Sequence, residues 1–170
     1  MTAPTRVTTP RLRGRSIEEG DFDYVVEVDG DIRVQRTLFG RVSTERESRA
    51  RLRRWIEIWE ENGFGFWLFA DASGENVGHG GLFPSPRETG EIEVGYVLKP
   101  AFWGRGYATE ITSLSLQVGF DVLGMRRIIA IAQETNLASR RVMEKCGLTF
   151  ETTVPSLDGV RGVRYAIGRP

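Results

Sequence analysis

Residues 99–110 read KPAFWGRGYATE, a glycine turn set between a stretch of β-type alternation and a stretch of helical periodicity. Upstream, Glu91 to Leu98 alternates strictly, carries Ile92, Val94, Tyr96 and Val97, and is stopped by Pro100, which predicts a strand. Downstream, Ala108, Ile111, Leu114 and Val118 fall on one face of a helix. The turn therefore delivers the chain to a helix N-terminus, where first-turn N–H groups lack partners and the positive end of the macrodipole lies. Glycines at 104 and 106 let an anion approach that backbone closely. A Walker loop is excluded, because Tyr107-Ala108-Thr109 stands where Gly-Lys-Ser or Gly-Lys-Thr belongs. A dinucleotide fingerprint is excluded too: Thr109 occupies its third glycine, and no repeated strand–helix units follow. On these residues alone the turn is either an anion cradle or a plain change of direction.

Working outward, Arg127 to Ala132 is a compact β-branched run and reads as a buried strand. Asn136 to Lys145 reads as a short helix capped by Thr135 or Asn136 and closed by Gly147. Leu148 to Val154 and Val163 to Ile167 form a hairpin across Asp158-Gly159. On the other side, Phe66 to Ala70 and Asn76 to Leu82 are strands joined around Ser73-Gly74. Ser43 to Asn62 is the clearest helix, with a Thr44/Glu47 capping box, an apolar stripe of Leu52, Trp55, Ile56 and Trp59, and Gly63 at its end. Leu12 to Ser16 is a first short strand, and Ile17 to Val28 a first helix with Ser16 as N-cap. The order predicts a mixed α/β (α+β) domain, with strand–helix–strand units only in its second half.

The chain has 170 residues, 40% of them hydrophobic, with neither repeat nor linker, so residues 1–170 are expected to form one soluble domain. Lys plus Arg equals Asp plus Glu, 23 each, which argues against nucleic acid or a membrane surface as the partner. The single Cys146 excludes a disulfide framework and a multi-cysteine metal site, and fits a reducing cytoplasm. Residues 1–15 contain no signal-like apolar segment, and no run is long enough to span a bilayer; the expected location is the cytoplasm.

The glycine turn combined with Asn136-Leu137-Ala138-Ser139 and Glu144-Lys145-Cys146-Gly147-Leu148 resembles the GNAT acetyltransferases. Trp103-Gly104-Arg105-Gly106-Tyr107-Ala108 is similar to their acyl-CoA motif, Gln/Arg-x-x-Gly-x-Gly/Ala, with Trp103 in place of the first Gln or Arg. Thr9-Pro10-Arg11-Leu12 and the Trp55/Trp59 helix look like the branch that acetylates protein N-termini, including those of ribosomal proteins. The likeness is specific in the second half of the chain and looser in the first.

That resemblance implies a mostly antiparallel central sheet, splayed at its middle strands and flanked by helices. It implies acetyl-CoA as co-substrate, no metal, and acetyl transfer to a primary amine by direct attack through a tetrahedral intermediate. The pyrophosphate would lie on the backbone of Gly104, Arg105, Gly106, Tyr107 and Ala108, next to Trp103. Val97 and Leu98 would pair with pantetheine and offer an N–H to the thioester carbonyl. Asn136 would contact the pantetheine arm, and Ser139 would sit near the sulfur. A deprotonated amine is required; Glu91 and Glu93 share one face of the strand, and Glu93 is the first choice for the base, although ~3.3 Å per residue starts it roughly 13 Å from Val97. The alternative is that one or both glutamates line a solvated face or bind substrate. The tyrosine that many members carry four residues after the serine is Met143 here, which leaves Ser139 or water as the acid.

His79, the only histidine, is either a base or a satisfied strand residue. Cys146 reads as inert, Trp55, Trp59 and Trp67 as core or pocket wall, and Arg46, Arg49, Arg51, Arg53 and Arg54 as a solvated helix face. The acceptor stays open between a protein N-terminus and a small molecule such as an antibiotic or polyamine. A larger acyl donor, an inactive CoA-binding sensor and a homodimer are further alternatives.

Overall fold

The computed structural model describes residues 1–155 and 159–169. In chain order these form β1 (Arg6–Thr8), β2 (Arg13–Ser16), α1 (Phe22–Asp29), α2 (Ile32–Gln35), α3 (Glu45–Asn62), β3 (Phe66–Ala70), β4 (Asn76–Pro84), β5 (Ile92–Leu98), α4 (Tyr107–Gln117), β6 (Arg127–Gln133), α5 (Leu137–Lys145), β7 (Thr149–Val154) and β8 (Gly162–Gly168). All eight strands join one sheet in the order β1-β2-β3-β4-β5-β6-β8-β7. Every neighbouring pair is antiparallel except β5 with β6. The architecture is the expected mixed α/β fold.

Alternation along the strands assigns the two helical layers to opposite faces of the sheet. Leu68 and Val97 pack with Tyr24, Val25, Val28, Val34 and Leu52 of α1, α2 and α3. Their strand neighbours Trp67, Phe69, Val94 and Leu98 pack instead with Ile111 and Leu116 of α4. Glycine lets α4 settle on the sheet: a Cβ on Gly80 of β4 would lie 2.4 Å from Ile111 Cγ2.

Local chemistry sets most boundaries. Thr44 Oγ1 accepts the Glu47 N–H at 3.3 Å while Glu47 accepts the Thr44 N–H at 2.8 Å, and Gly63 ends α3 with φ 70°. The first helix is shorter than its periodicity suggests, and Ser16 does not cap it. Ser16 is paired with Trp67 in β2, and Ile17 N–H still donates to Phe66 O at 3.2 Å, so the backbone stays extended there. The helical path starts after Glu18 with a 3-10 turn, Glu19–Asp21, closed by a Glu18/Asp21 capping box. The short elements β1 and α2 carry too little pattern to be seen in the sequence. The expected hairpin is β7 with β8; of its turn, Asp158 lies outside the described residues and Gly159 has φ 73°.

The α1–α3 layer is held by a buried charge as well as by apolar contact. Asp29 accepts from Ser48 Oγ at 2.7 Å and pairs with Arg51, whose other nitrogen donates to Ser43 Oγ at 3.1 Å. Arg51 thus leaves the solvated face expected for it, while Arg46, Arg49, Arg53 and Arg54 remain exposed. Removing one partner of such a pair strands the other charge. Arg51→Ala is expected to lower the free energy of unfolding by about 3 kcal/mol, and Asp29→Leu with Arg51→Met by much less. Urea denaturation of the three proteins measures both.

Candidate active site

β5 and β6 share a single register position, Glu93 opposite Ile129, although β5 continues to Leu98 and β6 to Gln133. Beyond that position the strands part. The direction of the backbone groups in the gap follows from β4. Lys99 N–H donates to Val77 O at 2.9 Å, in register with the pairs His79–Val97 and Gly78–Leu98. In an antiparallel ladder alternate residues bond to the same neighbour, so Val97 bonds to β4 while Tyr96 and Leu98 turn their N–H and C=O groups into the opening. Val97 therefore has its backbone groups engaged with β4, not turned toward the gap as its expected role requires, and it lies against the helical layer of α1–α3. The Leu98 carbonyl is taken by the Trp103 indole N–H at 2.9 Å, which leaves the Leu98 N–H facing the gap.

Glu93 sits where the strands separate, on the α1–α3 face. The Ile131 N–H, a donor that a continued parallel ladder would have used, lies near its carboxylate and favours the charged form. Ser85 Oγ also donates to it at 2.9 Å, and Arg87 lies 3.9 Å away. Only 4% of Glu93 is exposed, and burial pushes its pKa up to about 7 against the pull of Ser85 and Arg87. A carboxylate so tuned accepts a proton near neutral pH and can return it.

The opposite face supplies hydroxyls. Asn136, rather than Thr135, caps α5: its Oδ1 accepts the Ser139 N–H at 3.1 Å, leaving its amide NH2 as a donor. The Ser139 side chain lies beside the phenol of Tyr96, whose proton is held more tightly than usual by burial. Met143 is buried at 5% exposure. Tyr96 went unmarked as a functional residue in the sequence. Strand alternation shows which face it takes, but nothing local says that Ser139 lies over that face.

At the end of β5 the glycine turn opens outward. Gly104 and Gly106 have φ of 75° and 82°, a region favouring glycine, and a Cβ on Gly104 would meet nothing within 4 Å. Gly106 is the N-cap of α4 and gives it no side-chain cap. Among the described residues no acceptor takes the N–H groups of residues 104–109. The Tyr107 side chain is buried against Phe102, so only its backbone faces outward, whereas Trp103 and Arg105 are exposed and Ala108 is half-buried.

His79 lies outside this chemistry. It is packed among Tyr24, Trp55 and Phe66, its Nδ1 is 2.8 Å from the Tyr24 hydroxyl, and burial drives its pKa down to about 3. Such an imidazole stays neutral. Trp67 is fully buried, and Trp55 and Trp59 are half-buried beside it in the two cores. Cys146 is half-buried, and burial raises its thiol pKa, so it is a weak nucleophile.

A backbone cradle tolerates no bulk. Gly106→Trp is expected to abolish calorimetric binding of coenzyme A, by strain at positive φ and by crowding Arg11, whose guanidinium nitrogen a Cβ there would meet at 3.2 Å. Unchanged affinity would show that the turn holds no phosphate.

Residues 11–149 match the acetyltransferase (GNAT) domain family. An FsC-acetyl coenzyme A-N(2)-transacetylase of Aspergillus fumigatus is 33% identical over 99% of this chain and 78% of its own length. A GNAT-family acetyltransferase structure from Bacillus anthracis superposes with TM-score 0.81 at 27% identity, covering 96% of this chain and 98% of that one. A ribosomal L7/L12 alpha-N-protein acetyltransferase in complex with coenzyme A does so with TM-score 0.77 at 20% identity, covering 99% and 98%. With a family match across most of its length, the chain belongs to the GNAT family and is an acyl-CoA-dependent N-acetyltransferase.

Proposed function

We propose that the enzyme moves an acetyl group from acetyl-CoA to an α-amine, either a protein N-terminus or the α-amino group of a small molecule. The observation that carries this is the parting of β5 and β6 with Glu93 on one face and Ser139 on the other. The unpartnered N–H groups of residues 104–109 and the open space over Gly104 fit a pyrophosphate. The backbone of Tyr96 and the Asn136 amide fit the pantetheine amides. The donor brings an acetyl group already activated as a thioester; the chain's own groups do the rest. Glu93 removes the proton that keeps the amine from attacking. The Leu98 N–H faces the thioester oxygen and steadies the negative charge that grows there. The Ser139 hydroxyl, beside the Tyr96 phenol, passes a proton to the departing sulfur and regains one from water.

The tuning of Glu93 favours the acceptor class. An α-ammonium has a pKa of about 8 and a lysine or polyamine ammonium one of about 10.4. Proton transfer to a carboxyl poised at about 7 is nearly balanced for the first and strongly uphill for the second. The names of two similar proteins agree with this reading, one as an alpha-N-protein acetyltransferase and the other as an N(2)-transacetylase.

The test is calorimetric titration with acetyl-CoA, succinyl-CoA and free CoA, followed by thiol release with a panel of amines. Saturable binding of acetyl-CoA and turnover of peptides or amino-acid amides with a free α-amine are expected. Turnover confined to polyamines or aminoglycosides would overturn the acceptor assignment. Wild-type kcat/KM should rise with pH along a limb of apparent pKa about 7. Glu93→Gln should lose that limb and fall by about 100-fold, with acetyl-CoA affinity unchanged.

A further inference from the structure

The glycine turn does not hold its own shape. The turn between β1 and β2 is closed by Thr9 N–H donating to Leu12 O at 2.9 Å and Leu12 N–H donating to Thr9 Oγ1 at 3.0 Å. It projects Thr9 and Arg11 onto the start of α4, some hundred positions away in sequence. Thr9 Oγ1 donates to Glu110 Oε2 at 2.7 Å, and Arg11 Nε donates to Glu110 Oε1 at 2.5 Å. A second guanidinium nitrogen of Arg11 donates to the Arg105 carbonyl at 2.8 Å, and the guanidinium carbon lies 4.7 Å from the centroid of the buried Tyr107 ring.

We infer that Arg11 is a positioning residue for the donor site: it fixes the backbone that receives the pyrophosphate and neutralises the acid beside it. The inference rests on the donor reading above and names what sets the cradle. The 105–106 peptide is trans, so its carbonyl and its N–H point in opposite directions. With the Arg105 carbonyl bound to Arg11, the Gly106 N–H is turned to the other side, where no group among the described residues accepts it. Gly106 makes this peptide free to flip, because a flip turns ψ of Arg105 and φ of Gly106, and glycine populates both signs of φ. Arg11 removes that freedom. It also pairs the carboxylate of Glu110, which in the first turn of α4 would otherwise repel a bound phosphate.

A lysine cannot span both acceptors, since one ammonium replaces a fork of donors. Arg11→Ala and Arg11→Lys are therefore compared with wild type on acetyl-CoA and on S-acetyl-N-acetylcysteamine, a thioester donor with no pyrophosphate. With acetyl-CoA, both variants should raise KM about tenfold while kcat at saturation stays within about twofold. With the short donor, kcat/KM should match wild type. Equal losses on the two donors, or an unchanged KM for acetyl-CoA, would overturn the role of Arg11 alone. A wild-type enzyme using both donors with equal efficiency would overturn the donor reading, and Arg11 with it.

Discussion

The whole arrangement depends on a ladder that stops. β5 and β6 begin as parallel neighbours, bridge once at Glu93 and Ile129, and then separate while both continue as strands. Backbone polar groups inside a protein are costly when unpaired, so a sheet interrupted at its centre needs substitutes. This chain supplies them one by one. The Glu93 carboxylate stands by the Ile131 N–H, and the Trp103 indole takes the Leu98 carbonyl. The groups that stay unserved, chiefly the Leu98 N–H and the first turn of α4, are those a thioester and a diphosphate can satisfy.

The same gap explains how Glu93 acquires its chemistry. A glutamate on an unbroken strand would be either solvated or intolerable. Here it is buried at the edge of an opening, with a serine hydroxyl and a backbone N–H to stabilise its charge and a distant arginine to moderate it. Burial outweighs those three, and the balance falls near neutrality. Ser139 and Tyr96 are governed differently: α5 begins at Asn136, the cap fixes the serine, and the serine meets a phenol standing on the other side of the same strand.

Much of this was legible in the residues. The strand Phe66–Ala70, the capping box of α3, its Gly63 terminus and the glycine turn all have local causes, so local reading finds them. The resemblance added the splayed sheet and the expected roles of Asn136 and Ser139. What escaped was non-local. Ser16 reads as a cap until β3 claims it for the sheet. Arg51 reads as a surface charge until Asp29 is found buried beneath it. Val97 and Leu98 look equivalent until the register with β4 sends their backbone groups in opposite directions. Tyr96 and Arg11 act across the fold, on partners that no spacing along the chain announces.

The alternation of β5 has a wider consequence. One strand faces α1–α3 through Glu93 and Val97, and α4 through Val94 and Leu98. The sheet therefore acts as a partition with a single window in it, separating whatever selects the acceptor from whatever grips the donor. Residues of the α1–α3 layer can vary without disturbing the glycine turn, as long as the ion pair that ties α1 to α3 survives. Modularity of this kind lets one donor-handling half be reused with many acceptors, and it accounts for a second half that is easily recognised beside a first half that is not.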